Sequence, residues 1–273
     1  MRKHAKVGRI IKSDVTALSF RETVNEIVSW IQNKESNYVC VCNTHSLVTA
    51  SNDEYFEMIL NNAGICTPDG MPLVWALRLY GYKEQDRVDG PNLMLKLCEV
   101  AAQKKFKVYL YGGTTETLDR LTRKLIHQFG GIQIVGSYSP PFRQLTEEEE
   151  EQITEQINSA KPDLIFVSLG CPKQEKWMYS KSLKVKGIMI GVGAAFDFII
   201  GNIKRPPQIF QRLGLEWFFR LVSEPKRLWK RYLYNNPVFI IRFLLTYRQN
   251  KRVTKLLMEN SGINYCKDRG VGY

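Results

Sequence analysis

Six short runs rich in β-branched and aromatic residues recur along this chain, with helix-patterned segments between them. They are "NYVCVCN" (37–43), "AGICTP" (63–68), "FKVYLYGG" (106–113), "GIQIVGSY" (131–138), "PDLIFVSLG" (162–170) and "KGIMIGVG" (186–193). Alternation of this kind is the signature of a parallel sheet. It predicts an α/β fold with a Rossmann-like, open, mostly parallel sheet flanked by helices. An early pair of strands around 7–11 and 15–18 decorates it. Ser19 with Glu22 and Thr146 with Glu149 have capping-box spacing and mark helix starts. The acidic run Glu147 to Glu151 falls in the first turns of the second of these helices, where the macrodipole favours negative charge, and reads as a solvated face.

The pattern changes after "GNIKRPPQIF", where Pro206 and Pro207 interrupt any regular element. The segment beyond is helical in pattern, aromatic and strongly basic. The expected organisation is a Rossmann-like core over 1–204, a basic amphipathic appendage over 205–250 and a tail over 251–273. The formal charge of +12 calls for an anionic partner: nucleic acid, an acidic membrane surface or a phosphorylated small molecule. The N-terminus "MRKHAKVGRIIK" lacks the apolar stretch of a secretory signal, which points to a cytoplasmic protein. The most apolar late segment, "NPVFIIRFLLTY", carries Arg242 and falls short of the roughly twenty residues that cross a bilayer. Cys40, Cys42 and Cys66 sit in apolar strand runs and read as small buried hydrophobes, not as a disulfide framework. With His4, His45 and His127 as its three histidines and no C-x-x-C pair, the chain offers no zinc-ligand spacing, and no metal is expected.

Ligands of open parallel sheets bind outside the carboxyl ends of the strands. Special residues gather at those points: Asn43, Thr44 and His45 in "CNTHS", Asp69 in "TPDGMP", Gly112 and Gly113 in "YGGTTET", Gly170, Lys173 and Gln174 in "SLGCPKQEKW", and Asp197 in "GVGAAFD". The glycines have two readings, tight strand-to-helix turns or backbone cradles for a phosphate at a helix N-terminus. Arg87 and Lys173 are either surface charges or counter-ions to a diphosphate. Asp69 is either a cap for the helix "MPLVWALRLYG" or a ligand-facing carboxylate. No D-x-D sequence is present, so a nucleotide diphosphate would be held by cations and backbone amides.

Taken together, "CNTHSLV", "TPDGMPLVW", "RVDGPNLM", "VYLYGG", "PDLIFVSLGCPKQEKWM", "GVGAAFDFIIG" and "RPPQIFQRLGLEWFFRLVSEPKRLWKRYL" resemble the WecG/TagA/CpsF glycosyltransferase family, in order from about residue 38 to 233. The resemblance implies a bacterial enzyme that moves a sugar from a UDP-sugar to a polyprenyl-diphosphate-linked saccharide at the inner membrane face. Products of the family feed wall teichoic acid, enterobacterial common antigen, or capsular and exopolysaccharide. It further implies that Asp69 is the catalytic base, that Arg87 handles the diphosphate, and that Asn43 and Gln174 are pocket residues. Arg220, Arg227 and Lys230 match functional basic positions of the family's appendage, with lysine in place of arginine at the last; Arg231 follows directly. The implied reaction is inverting and needs neither metal nor cofactor, and the donor is a hexose or N-acetylhexosamine, N-acetylmannosamine included. Self-association into a homo-oligomer is a further implication.

Two other classes compete. A nucleotide-dependent oxidoreductase would suit the sheet, but G-x-G-x-x-G does not follow the first core strand. A nucleic-acid-binding module would suit the charge, yet no reader motif is present, and no nucleic-acid partner is expected.

Overall fold

The computed structural model describes residues 6–204, 206, 207, 209, 210 and 214–260. Strands β1 (Val7–Ile10) and β2 (Ser13–Thr16) form an antiparallel hairpin. The core follows as α1 (Phe20–Gln32), β3 (Asn37–Cys42), α2 (Thr44–Asn52), α3 (Glu54–Asn62), β4 (Ile65–Pro68), α4 (Met71–Tyr80), α5 (Gly90–Lys104), β5 (Lys107–Gly112), α6 (Thr115–Gln128), β6 (Gln133–Tyr138), α7 (Glu147–Ser159), β7 (Leu164–Ser168), α8 (Lys173–Lys181), β8 (Ile188–Gly191) and α9 (Ala195–Ile200). The six core strands lie in the order β4-β3-β8-β7-β5-β6, every pairing parallel. This is the expected Rossmann-like α/β sheet. The early hairpin is also present, its second strand running from Ser13 rather than 15.

Period-two side-chain alternation sends one half of each strand to each face, and helices cover both. In β3, Tyr38, Cys40 and Cys42 join one apolar core with Cys66, while Val39 and Val41 join the other. The cysteines thus act as small core residues, and those within the described residues are free thiols. Both capping boxes form, at Ser19 with Glu22 and at Thr146 with Glu149. The acidic run is mostly solvated, but Glu149 pairs with Arg143, and Glu150 reaches the buried Lys181 at 2.7 Å.

Two helices close the described chain, α10 (Glu216–Ser223) and α11 (Pro225–Asn260). Arg220 lies on the first of these helices and Arg227, Lys230 and Arg231 on the second, so the four do not form one face of one helix. The chain breaks at Glu224, and Pro225 opens a new helix. The second helix also runs without interruption past residue 250. It is fastened to the core: Asn250 donates to the Ile11 carbonyl at 2.9 Å, Thr254 accepts from the Arg9 amide at 3.0 Å, and Arg242 donates to Ser51. Tyr80 of α4 stacks on Tyr247 and packs against Phe243 of α11. Among the described residues no helix is long and apolar enough to cross a membrane.

Candidate active site

Strand β4 ends at Pro68, and the next residue is held by its backbone: the Asp69 amide donates to the Cys42 carbonyl at the end of β3, at 2.8 Å. Asp69 is not the cap of α4. That place belongs to Gly70, with no side-chain capping bond, and Pro72 occupies the first turn, where a missing N–H costs nothing. The Asp69 carboxylate is left to face Arg87. One carboxylate oxygen accepts from Arg87 Nη2 at 2.8 Å and from Nε at 3.3 Å, and Nε also donates to the Asp69 carbonyl.

The loop carrying Arg87 is pinned on both sides. The Val88 amide donates to the Pro68 carbonyl at 3.1 Å, and the Thr67 hydroxyl donates to the Val88 carbonyl at 3.1 Å. Asp89 then caps α5. A Cβ on Gly90 would stand 2.8 Å from the Val192 carbonyl oxygen, so the start of α5 can lie against the end of β8 only as glycine. The remaining guanidinium nitrogen of Arg87, Nη1, binds Glu216 of α10 at 2.7 Å. Burial pulls the Arg87 guanidinium down, but Asp69, Glu216 and Asp89 together outweigh it and hold the group above its ordinary range. Burial raises the Glu216 carboxyl, against the pull of Arg87.

Two adjoining cavities open here. The larger, about 540 Å³, takes in Asn43, Thr44, His45, Asp69, Arg87, Glu216, Arg220 and Arg231, and continues between α4 and α11. The smaller, about 180 Å³, shares Asn43, Asp69, Arg87, Glu216, Arg220 and Arg231 with it and adds Gly170, Gln174 and the Val192–Ala195 loop. The walls therefore come from the carboxyl ends of β3, β4, β7 and β8, as a doubly wound sheet dictates. Arg220 lies over the Phe198 ring at 5.4 Å, and its Nε is buried without a hydrogen-bond partner among the described residues, a donor suited to an anion. The His45 imidazole is driven down to about 4, first by burial and then by the Arg231 charge, so it lines the cavity as a neutral ring.

Gln174 bridges two elements: its Oε1 accepts from the Gly193 amide at 3.1 Å, and its Nε2 donates to the Glu175 carboxylate at 2.8 Å. Glu175 is fully buried, and burial pushes its carboxyl up to about 7.

The fold thus brings Asn43, Thr44, Asp69, Arg87, Gly170, Gln174, Arg220 and Arg231 together. It leaves other sequence candidates outside both cavities. Gly112 and Gly113 adopt positive φ at the turn from β5 to α6, where a Cβ on Gly112 would stand 2.3 Å from the Ser168 carbonyl oxygen. Tight-turn geometry explains them. Lys173 is exposed at the start of α8. Asp197 accepts from Asn202 at 3.1 Å, and Lys230 stands over the Trp229 ring at 5.5 Å. The Arg227 side chain lies outside the described residues. Glu216 is the site group that the sequence candidates lack, while His45, gathered with Asn43 and Thr44 at the end of β3, lines the larger cavity. The signal for Glu216 was slight: with Glu224, it is one of two acidic residues between 205 and 233. Among the described residues, no three His, Cys, Asp or Glu side chains gather as a metal-holding group.

A carboxylate beside three guanidinium groups at the mouth of a parallel sheet suits proton abstraction next to a phosphorylated leaving group. Comparison with known proteins identifies the family. The chain is 34% identical over 205 residues, 75% of its own length and 78% of the other's, to an N-acetylglucosaminyldiphosphoundecaprenol N-acetyl-beta-D-mannosaminyltransferase of Bacillus subtilis (strain 168). It is 31% identical over 218 residues, 77% of its length and 82% of the other's, to the enzyme of the same name from Bacillus spizizenii (strain ATCC 23059 / NRRL B-14472 / W23). The family model for the Glycosyl transferase WecG/TagA/CpsF family matches residues 8–253, and the chain is a glycosyltransferase belonging to that family.

Proposed function

We propose that this enzyme transfers N-acetylmannosamine from a UDP-sugar to a GlcNAc-diphosphate-polyprenol acceptor, with inversion at the anomeric carbon. The observation that carries the reading is the Asp69–Arg87–Glu216 arrangement, flanked by Arg220 and Arg231, in one cavity at the strand ends. The relatives' names supply the sugar and the acceptor.

In this mechanism Asp69 takes the proton of the acceptor hydroxyl as its oxygen attacks the anomeric carbon. A positioned base contributes about 10²–10⁴-fold. The sugar–phosphate bond breaks, and charge collects on the departing diphosphate. Arg87, Arg220 and Arg231 are the cations at hand to stabilise it in a site of low dielectric. In this scheme charge stabilisation falls to guanidinium groups, without a metal. Asn43, whose side-chain oxygen caps α2 by accepting from the His45 and Ser46 amides, keeps its amide nitrogen for substrate. Gln174 holds the Gly193 loop against the smaller cavity. The basic, aromatic segment from 205 to 250 places the enzyme on an anionic inner membrane face, at about 1 kcal/mol per basic residue near the lipid.

The test is transfer from a panel of radiolabelled UDP-sugars to a GlcNAc-diphospho-lipid, with and without EDTA. UDP-N-acetylmannosamine should give product at the same rate in both. Turnover with another donor alone would overturn the sugar assignment, and dependence on a divalent ion would overturn the metal-free scheme.

A further inference from the structure

The larger cavity has two chemical halves. Its inner half holds Asp69, Glu216 and three arginines. Its outer half is walled by Trp75 and Leu79 of α4 and by Phe239, Ile240, Phe243 and Leu244 of α11. Leu79 is 54% exposed, Ile240 56% and Leu244 66%, so this wall meets water unless something covers it. A contiguous exposed apolar surface beside a charged site marks a place where a ligand or partner sits.

The order of the lining narrows the occupant. A molecule that fills the cavity from end to end meets carboxylates and guanidinium groups first and hydrocarbon afterwards. Gly214, in the lining with Trp75, packs against it so closely that a Cβ would approach the indole to 2.8 Å. A second copy of this chain laid on the wall would seal off the Arg220 Nε, which has no hydrogen-bond partner among the described residues, without supplying an acceptor, which is costly. An amphiphile with an anionic head and a hydrocarbon tail satisfies both halves.

We propose that this wall is a subsite for the first isoprenoid units of the acceptor's lipid, so that the enzyme binds the tail next to the diphosphate as well as the sugar. The proposal rests on the lipid-linked acceptor reading above. It predicts an affinity that depends on hydrocarbon attached to the diphosphate even when no membrane is present. Each buried methylene is worth a factor of about four, so burying only three gives about sixtyfold.

Binding and transfer are measured separately, in detergent-free buffer and below the micelle threshold of every ligand. Farnesyl diphosphate should bind at least about sixtyfold more tightly than methyl diphosphate, read by tryptophan fluorescence and calorimetry. GlcNAc-diphosphate esters of farnesol and methanol should differ likewise in KM. Leu79→Asn combined with Leu244→Asn, at two exposed positions whose folding is checked by a thermal melt, should shrink both ratios about tenfold or more. A wild-type farnesyl-to-methyl ratio within threefold would overturn the subsite. So would a double variant that binds vesicles of anionic lipid less well while its farnesyl ratio is unchanged, since the wall would then be a membrane contact. Sedimentation showing a dimer that Ile240→Asn dissolves would also overturn it. Tight farnesyl diphosphate binding with no transfer from either ester would keep the subsite and sink the acceptor assignment.

Discussion

Arg87 is shared between Asp69 at 2.8 Å and Glu216 at 2.7 Å, and Glu216 belongs to a helix with no fully buried residue among those described. Helix α10 should therefore owe much of its docking to that guanidinium. Removing one partner of a buried ion pair costs about 3–5 kcal/mol, because the other charge stays desolvated. The Arg87 and Glu216 side chains are 17% and 22% exposed, so the lower end, about 3 kcal/mol, applies. With Arg87→Met, two carboxylates lose the cation that bonds to both, and the cheapest relief is for α10 to open and let Glu216 reach water. Hydrogen exchange read by mass spectrometry should show α10 amides losing about a hundredfold in protection, or falling to the level of a free helix if that comes first. Strands β3 and β7 should be unaffected. Burial raises the Glu216 carboxyl, so its neutral form is favoured as pH falls, and the loss should shrink toward pH 5. Adding Glu216→Gln should restore most of the protection. Unchanged α10 exchange in Arg87→Met, or no recovery in the double variant, would refute this account of how the site is closed.

Other expectations concern the groups around it. The Glu175 carboxyl is held near 7 against an ordinary 4.5, so its neutral form is the one the fold prefers. Its contribution is full below pH 4.5, and ~3 kcal/mol is lost as pH rises through about 7. Urea melts from pH 5 to 8.5 should show this decline in the wild type and a flatter profile in Glu175→Gln. An equal slope in both would place the titration elsewhere. Arg231 lines both cavities and Lys230 neither. Steady-state assays should show Arg231→Ala losing about 10²–10³-fold in kcat, in the range of a removed transition-state donor, with Lys230→Ala within about threefold of wild type. The reverse order would restore the role that the family resemblance assigns to position 230.

The sheet was open to sequence reading because its signals are local. Each strand is a short run of alternating side chains closed by a turn residue, as where Val39 and Val41 face one core and Cys40 and Cys42 the other. Strand-end logic then brought Asn43, Asp69 and Gln174 toward one place, and the family resemblance added Arg87. What resisted reading depends on contacts across long separations or on a break in helical phase. Glu216 gains meaning only once α10 folds back onto a loop more than a hundred residues earlier. The break at Glu224 resets the helical phase after Arg220, and Lys230 and Arg231, about 100° apart on the second helix, part company at the site. Gly112 and Gly113 look like a phosphate cradle in isolation, and the packing reason for Gly112, the neighbouring Ser168 carbonyl, comes from a strand more than fifty residues later.

The central claim is that Asp69 is a base and not a structural carboxylate. Asp69→Asn keeps an oxygen that can accept from Arg87 while removing the capacity to take a proton. Single-turnover transfer and UDP binding, measured on the same preparation, separate the two roles. The account predicts a loss of about 10²–10⁴-fold in transfer with UDP affinity within about threefold of wild type. Transfer at a near-normal rate would contradict it.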